Sequence, residues 1–245
     1  MRKKIIVLSG SPRLQAIYSY LQPGVPLLDV GSGHAKLCIA AIESEAVPYA
    51  IATEIAESPL DVARQAVADA GLTERIQLIR CDGLQGIDLV QPAQVVIAGM
   101  GGATIARILS DDIARGECKR DSWHFILQPM DGEGELRLWL AAQGWTILAE
   151  SIVREGKHFY QIIEVIPGGT PYQLDWLTAQ VGEFNLASGQ PEVVAYLQHL
   201  FEVRAKAIRE VEQGMPVHQE RLEELRRERE LVQRTIYQIQ HFIAR

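Results

Sequence analysis

The chain has 245 residues, of which 47% are hydrophobic, and a formal net charge of −7. It is long enough for an α/β domain with a smaller appended domain, and it has no apolar run that could cross a bilayer. The acidic balance is atypical of nucleic-acid-binding proteins, so a nucleic-acid partner would have to meet a local basic patch. Three scattered cysteines, Cys38, Cys81 and Cys118, favour a cytoplasmic protein with reduced thiols over a disulfide or zinc framework. We predict no metal site.

Buried-strand patterns alternate with helical patterns over the first two-thirds of the chain. A leading helix is predicted over 13–20, strands over 26–30, 49–53, 76–80, 94–98 and 124–127, and helices over 36–44, 59–70, 103–109 and 134–143. Two further strands, 146–153 and 159–166, flank the turn "REGKH" and predict an antiparallel pair. We therefore predict a doubly wound, Rossmann-like α/β sheet of seven strands whose last pair is antiparallel.

The composition changes after "PGGTP" at 167–171, which is the predicted linker between a domain over 1–166 and one over 172–245. Apolar residues then recur in steps of three and four on both sides of "GMP" at 214–216. This spacing predicts a C-terminal antiparallel coiled-coil hairpin. The charged run "QERLEELRRERE" is expected to be its solvated face, with a specific partner surface as the alternative.

The stretch "LLDVGSGHAKL", Leu27 to Leu37, joins a buried strand to a helix through closely spaced glycines. A dinucleotide-binding loop would need a third glycine at the position of Lys36. The pattern is instead acid-x-Gly-x-Gly-x-Ala, from Asp29 through Gly31 and Gly33, which resembles motif I of class I S-adenosylmethionine-dependent methyltransferases. Asp29 is then expected to anchor the methionine amino group. The alternative is a plain strand–helix turn without a ligand.

Acids also follow the next two strands. Glu54 could accept hydrogen bonds from ribose hydroxyls, or be a surface acid that opens a helix. Asp82 could accept from an adenine amino group beside Gly83, or be a helix N-cap. The fourth strand runs into "IAGMGG", residues 97–102, which leaves room for a flat ligand or a methyl acceptor. Together these positions predict that the ligand is S-adenosylmethionine.

A series of motifs extends this pattern along the chain: Ser11-x-Arg13-Leu14, "DVGSGHA", "ATE", "CDGL", "IAGMGG", "ILQP", "LRLWL", "GW.I..E" and "GK.FY". Their order and spacing are similar to the bacterial TrmK family of tRNA (adenine-N1)-methyltransferases, which act at position 22 of tRNA. The resemblance covers almost the whole chain, and "AGMGG" before "ILQP" is its specific part. It implies a class I methyltransferase sheet with cofactor contacts at Gly31, Glu54, Asp82, Gly83, Gly99, Met100, Gly101 and Gly102. It also implies an acceptor pocket bordered by the candidate catalytic residues His34, Gln128 and Tyr160.

The chain departs from the pattern of that family at three positions. Gly33 replaces a usual Asp and Met130 replaces a usual Asn, which removes polar groups that could orient an adenine. Gly33 restores the general methyltransferase glycine pattern, so cofactor binding is not threatened. Lys36 replaces a frequent Tyr and adds a cation that could meet a phosphate, or that is simply solvated.

Methylation at N1 needs no strong base, because neutral adenine already has a lone pair there, so alignment should dominate catalysis. His34 could accept the proton that the product sheds, or only bond the loop backbone. Tyr160 could hold a flipped base, or be a packed strand residue.

Basic residues that could bind tRNA lie on the leading segment, at the start of the predicted helix 36–44 and on the hairpin. They are Lys3, Lys4, Arg13, Lys36, Arg226 and Arg227. Alternatively, the hairpin only covers a sheet edge or dimerises, and monomer and weak homodimer both remain open. Two other functions are also consistent with the sequence: a protein that binds S-adenosylmethionine and RNA without turnover, and a methyltransferase with another acceptor.

Overall fold

The computed structural model describes residue 8 and residues 10–87, 93–115, 123–213 and 218–243, and Lys3 and Lys4 lie outside this part. The chain divides into two compact units, 1–173 and 174–245. Residues 167–171, the predicted linker, are part of the first unit and pack closely there. A Cβ on Gly144 would lie 2.5 Å from the carbonyl oxygen of Gly169. None of the described helices combines the length and the apolar sequence needed to cross a membrane.

The first unit is built on one seven-stranded sheet, as the sequence predicts. Its strands are β1 (Leu27–Val30), β2 (Ala50–Glu54), β3 (Ile76–Arg80), β4 (Gln94–Met100), β5 (His124–Pro129), β6 (Thr146–Glu155) and β7 (His158–Ile166). They lie in the order β3-β2-β1-β4-β5-β7-β6. Strands β1 to β5 pair in parallel, whereas β7 pairs antiparallel with both β5 and β6. The carboxyl ends of β1 to β5 and the last residue of β6 therefore lie at one edge of the sheet.

Helices cover both faces of this sheet: α1 (Pro12–Ser19), α2 (Lys36–Glu43), α3 (Glu57–Asp69), α4 (Gly102–Arg115) and α5 (Glu133–Ala142). Successive strand residues point to opposite faces, so Leu27 joins the apolar layer under α1 to α3, and Leu28 joins the layer under α4 and α5. Covering both faces explains why the parallel strands read as continuous apolar runs.

A buried ion pair lies beneath the antiparallel strands. Arg137 of α5 donates from Nε to Glu150 Oε1 at 2.6 Å, and both side chains are fully buried. The guanidinium also donates from Nη2 to Gln161 Oε1 at 2.6 Å. Removing one partner would leave a buried charge uncompensated, so this network fixes α5 against β6 and β7.

The second unit contains α6 (Trp176–Val181), α7 (Glu183–Ser188), α8 (Pro191–Gln213) and α9 (Gln219–Ile243). The predicted antiparallel hairpin is confirmed, because Ile208 of α8 packs against Leu222 and Leu225 of α9. The seam also contains a polar pair, in which Arg204 Nε lies 2.8 Å from Glu228 Oε2. The short helices α6 and α7 were not among the predicted elements.

Candidate active site

Three carboxylates lie near the ends of neighbouring parallel strands, at the edge of the sheet where ligands bind in such folds. Asp29 is on β1, Glu54 ends β2, and Asp82 follows β3. The strand order β3-β2-β1-β4 places Asp82, Glu54, Asp29 and Gly99 in succession along this edge. With neighbouring strands about 4.8 Å apart, the row spans roughly 14 Å, enough for an extended nucleoside and an amino acid side by side.

The loop after β1 is shaped by its glycines and anchored from β2. Gly31 has a φ of +70°, which favours glycine, and a Cβ there would lie 2.1 Å from Cε of Met100 and displace the end of that side chain. Gly33 has a φ of +62°. Its N–H donates to Glu54 Oε1 at 2.7 Å. Glu54 therefore fixes the loop that follows Asp29 as well as lying at the ligand edge.

Asp29 is a desolvated carboxylate with few partners. It is only 6% exposed. Its Oδ2 accepts from Ser32 Oγ at 2.5 Å and from Cys38 Sγ at 3.8 Å. Burial raises the pKa of Asp29 to about 6, and the hydrogen bond from Ser32 opposes that rise. A carboxylate that is mostly ionised at neutral pH but poorly solvated suits a cationic ligand group such as an ammonium.

A cavity of about 260 Å³ opens between α1, the β1 loop and the end of β4. It is lined by Arg13, Leu14, Asp29, Gly31, Ser32, His34, Lys36, Leu37, Val96, Ala98 and Gly99. His34 and Lys36 are exposed at its wall. Within the described residues the His34 ring has no hydrogen bond to the loop backbone. The structure thus brings Asp29, Gly31, His34, Lys36 and Gly99 together with Arg13, which the sequence had placed only among RNA contacts.

Arg13 links this cavity to the other two candidate catalytic residues. Its Nη1 donates to Gln128 Oε1 at 2.6 Å, and its Cζ lies 5.5 Å from the ring centroid of Tyr160. Gln128 is fully buried, and the same oxygen also accepts from the Gly99 N–H at 3.2 Å. Tyr160 is half-buried on β7. Gln128 therefore holds Arg13 and the β4 loop, whereas Tyr160 still presents part of its ring.

The edge beyond the cavity contains the other two acids. Asp82 accepts from Arg107 Nη2 at 3.2 Å and from Nη1 at 3.4 Å. No helix follows β3 within residues 81–87, so Asp82 is not a helix N-cap. Ile55, directly after Glu54, is 61% exposed and offers an apolar surface there. Sequence reasoning missed Arg107 and Ile55. The available signal for Ile55 was a large apolar residue directly after Glu54, the acid that ends the motif "ATE".

The loops after β4 and β5 are joined by their backbones. Met100 O accepts from the Met130 N–H at 2.8 Å, and Asp131 O accepts from the Gly102 N–H at 2.9 Å. A Cβ on Gly101 would lie 2.8 Å from Asp131 Oδ1, so the glycines leave space for the β5 loop. Gly83 similarly makes room for Ile108 of α4, since a Cβ there would lie 2.9 Å from its Cγ2.

Residues 10–163 match the family model described as a methyltransferase domain. A tRNA (adenine(22)-N(1))-methyltransferase of Bacillus subtilis (strain 168) is 31% identical over 172 residues, which are 70% of this chain and 71% of the relative. A candidate tRNA (m1A22) methyltransferase of Streptococcus pneumoniae, solved in complex with S-adenosyl-L-methionine, is 32% identical with a TM-score of 0.79, over 92% of this chain and 99% of that one. The B. subtilis m1A22 tRNA methyltransferase TrmK is 26% identical with a TM-score of 0.79, over 91% and 97% of the two chains.

The chain belongs to the TrmK family. Two of its departures from the TrmK pattern, Gly33 and Met130, lie in different surroundings. A Cβ at Gly33 would lie 4.0 Å from Glu54 Oε1, so an Asp there would bring a second carboxylate towards Glu54. Met130 is 46% exposed and so can be replaced without disturbing the core.

Two basic residues of the second unit that the sequence offers as RNA contacts form ion pairs on the hairpin surface. Arg226 Nη2 lies 2.7 Å from Glu212 Oε1, and Arg227 Nη2 lies 3.5 Å from Glu223 Oε2. All four side chains are at least 42% exposed, so these pairs contribute little to stability and can rearrange around a phosphate.

Proposed function

We propose that this protein transfers the methyl group of S-adenosylmethionine to N1 of adenine 22 in tRNA. The observation that carries the proposal is the row of carboxylates at the ends of β1, β2 and β3 beside one cavity, in a chain of the TrmK family. The B. subtilis relative is a tRNA (adenine(22)-N(1))-methyltransferase, and the S. pneumoniae candidate was solved with S-adenosyl-L-methionine. When bound, this cofactor supplies a methyl group on a sulfonium that an aromatic nitrogen can attack directly.

The residues at the ligand edge of the sheet fit each part of that cofactor. Asp29 would take the ammonium, because it is a buried carboxylate with no cationic partner within the described residues. Glu54 would accept from the ribose hydroxyls while keeping its bond to the Gly33 N–H. Asp82 would accept from the adenine amino group, exchanging an exposed and therefore weak pair with Arg107. Ile55 would pack on a face of the adenine.

Arg13 has a different role in this proposal from the one that the sequence suggested. It lines the same cavity as Asp29, and within the described residues no carboxylate lies within ion-pair distance of its guanidinium. An acid and a base that face one cavity are complementary to an α-amino acid, which carries both charges. We therefore assign Arg13 to the carboxylate of the methionine moiety rather than to an RNA phosphate.

The acceptor is bound beside that cavity. Tyr160 would stack on the flipped adenine, as aromatic side chains do with extruded bases. His34, exposed at the cavity wall, would take up the proton that the exocyclic amine sheds after methylation. Gln128 is fully buried and acts through Arg13 and the β4 loop. Since the nucleophile needs no base, proximity and alignment supply most of the rate enhancement.

The remaining basic residues would bind phosphates of the folded tRNA. Lys36 lies exposed at the rim of the cavity, and Arg226 and Arg227 are exposed on the hairpin. Lys3 and Lys4 precede the described residues and belong to the same proposal. We infer that the enzyme works in the cytoplasm, where unmodified tRNA is available.

The test is methyl transfer from labelled S-adenosylmethionine to unmodified tRNA with adenine at position 22, beside the same tRNA with guanine there. Label on the adenine form alone is the expected result. If a protein sample that binds S-adenosylhomocysteine labels neither tRNA, the proposal that it catalyses methyl transfer is contradicted. Equal label on both would contradict the position and indicate another acceptor.

A further inference from the structure

The first turn of α1 is fastened to the end of β6 by one side chain, Glu155. Its Oε2 accepts from the Arg13 backbone N–H at 3.0 Å and from Ser11 Oγ at 3.1 Å. Ser11 is the N-cap of α1, and its hydroxyl oxygen accepts from the Leu14 N–H at 3.3 Å. Pro12 has no N–H, so the free amides at the start of this helix are all satisfied. An acid at this end also suits the helix dipole.

This fastening fixes the backbone from which the Arg13 side chain extends to Gln128. The body of α1 is held separately, since Ile17 is fully buried in the core and the Tyr18 hydroxyl lies 2.6 Å from Ser44 Oγ. Glu155 acts only on the first turn, which carries Arg13. Because β6 runs in the same direction as β5, its last residue, Glu155, lies at the ligand edge of the sheet. It is therefore close enough to position Arg13, yet has no described contact with Asp29, Glu54 or Asp82.

We propose that Glu155 is a positioning residue for cofactor binding: it holds the first turn of α1 so that Arg13 meets the carboxylate of the bound methionine moiety. This inference rests on the proposed function for its ligand. The cofactor-side acids do not depend on Glu155, so its loss should affect only ligands that have a carboxylate. The adenosine part should bind as before.

The experiment compares two ligands that differ in the amino acid. Binding of S-adenosylhomocysteine and of 5′-methylthioadenosine, which lacks the amino acid, is measured by calorimetry for the wild type and for Glu155→Ala. We expect about a tenfold weaker affinity for S-adenosylhomocysteine, typical of a lost charge-assisted contact, and an affinity for methylthioadenosine that is unchanged within about twofold. Glu155→Gln keeps an acceptor oxygen and should restore most of the affinity. Glu74→Ala, which removes an exposed acid before β3, is the matched charge control.

Two further measurements separate positioning through Arg13 from a general structural effect. In a double-mutant cycle, adding Glu155→Ala to Arg13→Ala should weaken S-adenosylhomocysteine binding no further, because both changes remove one contact. Additive losses, or equal losses for both ligands, would overturn the proposal. A loss of tRNA affinity with unchanged S-adenosylhomocysteine affinity would also overturn it and would return Arg13 to phosphate binding. If the wild type itself binds no S-adenosylhomocysteine, the proposed function fails. If the wild type and Glu155→Ala bind it equally, only this inference fails.

Discussion

The cofactor side and the acceptor side of the ligand edge are built in different ways. On the cofactor side, Asp29 is buried with Ser32 and Cys38, and Glu54 holds the loop through the Gly33 N–H. On the acceptor side, His34 and Met130 are exposed and Tyr160 is half-buried. The first side is already shaped for a small zwitterionic ligand, whereas the second leaves space for part of a macromolecule.

The largest effect on the cofactor side is expected from Asp29→Asn. We expect affinity for S-adenosylhomocysteine to fall about 100-fold, because the buried ion pair with the ammonium is lost. The same change should stabilise the fold. Because the pKa of Asp29 is raised, its protonated form adds to the free energy of unfolding. That contribution is fully present below about pH 4 and is lost as the pH rises through about 6. Asparagine cannot ionise, so at pH 8 the free energy of unfolding of the variant should exceed that of the wild type by up to about 3 kcal/mol.

Thermal or urea unfolding at pH 8 and pH 4, beside calorimetry, tests this trade-off. Asp69→Asn, which makes the same change at an exposed carboxylate, is the control and should alter neither quantity. A variant that binds as tightly as the wild type would show that Asp29 does not hold the ammonium.

Tyr160→Ala tests the acceptor side. We expect kcat/KM for tRNA to fall about tenfold or more, since stacking of a base on an aromatic ring contributes about 1–3 kcal/mol. Affinity for S-adenosylhomocysteine should fall less than kcat/KM for tRNA does, because Gln128 still holds Arg13 when the Tyr160 ring is removed. Tyr160→Phe keeps the ring and should keep most of the activity. Equal losses in the Phe and Ala variants would point to the hydroxyl and against stacking.

A smaller gain is expected from Met130→Asn, which restores the residue that is usual in the family. The exposed amide would supply a polar group beside the adenine, and kcat should rise by a factor of roughly two to five, the scale of one modest hydrogen bond. Met130→Leu should leave kcat unchanged. If Asn lowers kcat in steady-state assays of methyl transfer, the acceptor in this chain is oriented by other groups.

The smallest effect should come from the hairpin. Replacing Arg226 and Arg227 by Gln should weaken tRNA binding slightly and reduce the slope of log K against log salt by up to about one per lost phosphate contact. Arg64→Gln on α3 removes one exposed positive charge and is the control for each single replacement. A salt slope that does not change would favour the alternative in which the hairpin covers a sheet edge or dimerises.

The parallel sheet, its helices and the hairpin follow from apolar periodicity, and their predicted bounds agree with the structure to within a few residues for most elements. The row of acids was predictable because parallel strands end at one edge. The contacts of Arg13 were not predictable, since Gln128, Tyr160 and Glu155 are distant in sequence and meet it only when α1 packs beside β5, β6 and β7. The buried pair of Arg137 and Glu150 could not be predicted either, because single charged residues in a sequence usually indicate surface positions.

Mapping of the methylated nucleotide tests the central claim most directly. A methyl group on N1 blocks the pairing edge of adenine, so reverse transcription of tRNA treated with enzyme and S-adenosylmethionine should stop beside position 22. The stop should be absent without cofactor, and much weaker with the Asp29→Asn variant at a cofactor concentration that just saturates the wild type. A methylated tRNA that is copied through position 22 would contradict the account, because the methyl group would then lie elsewhere.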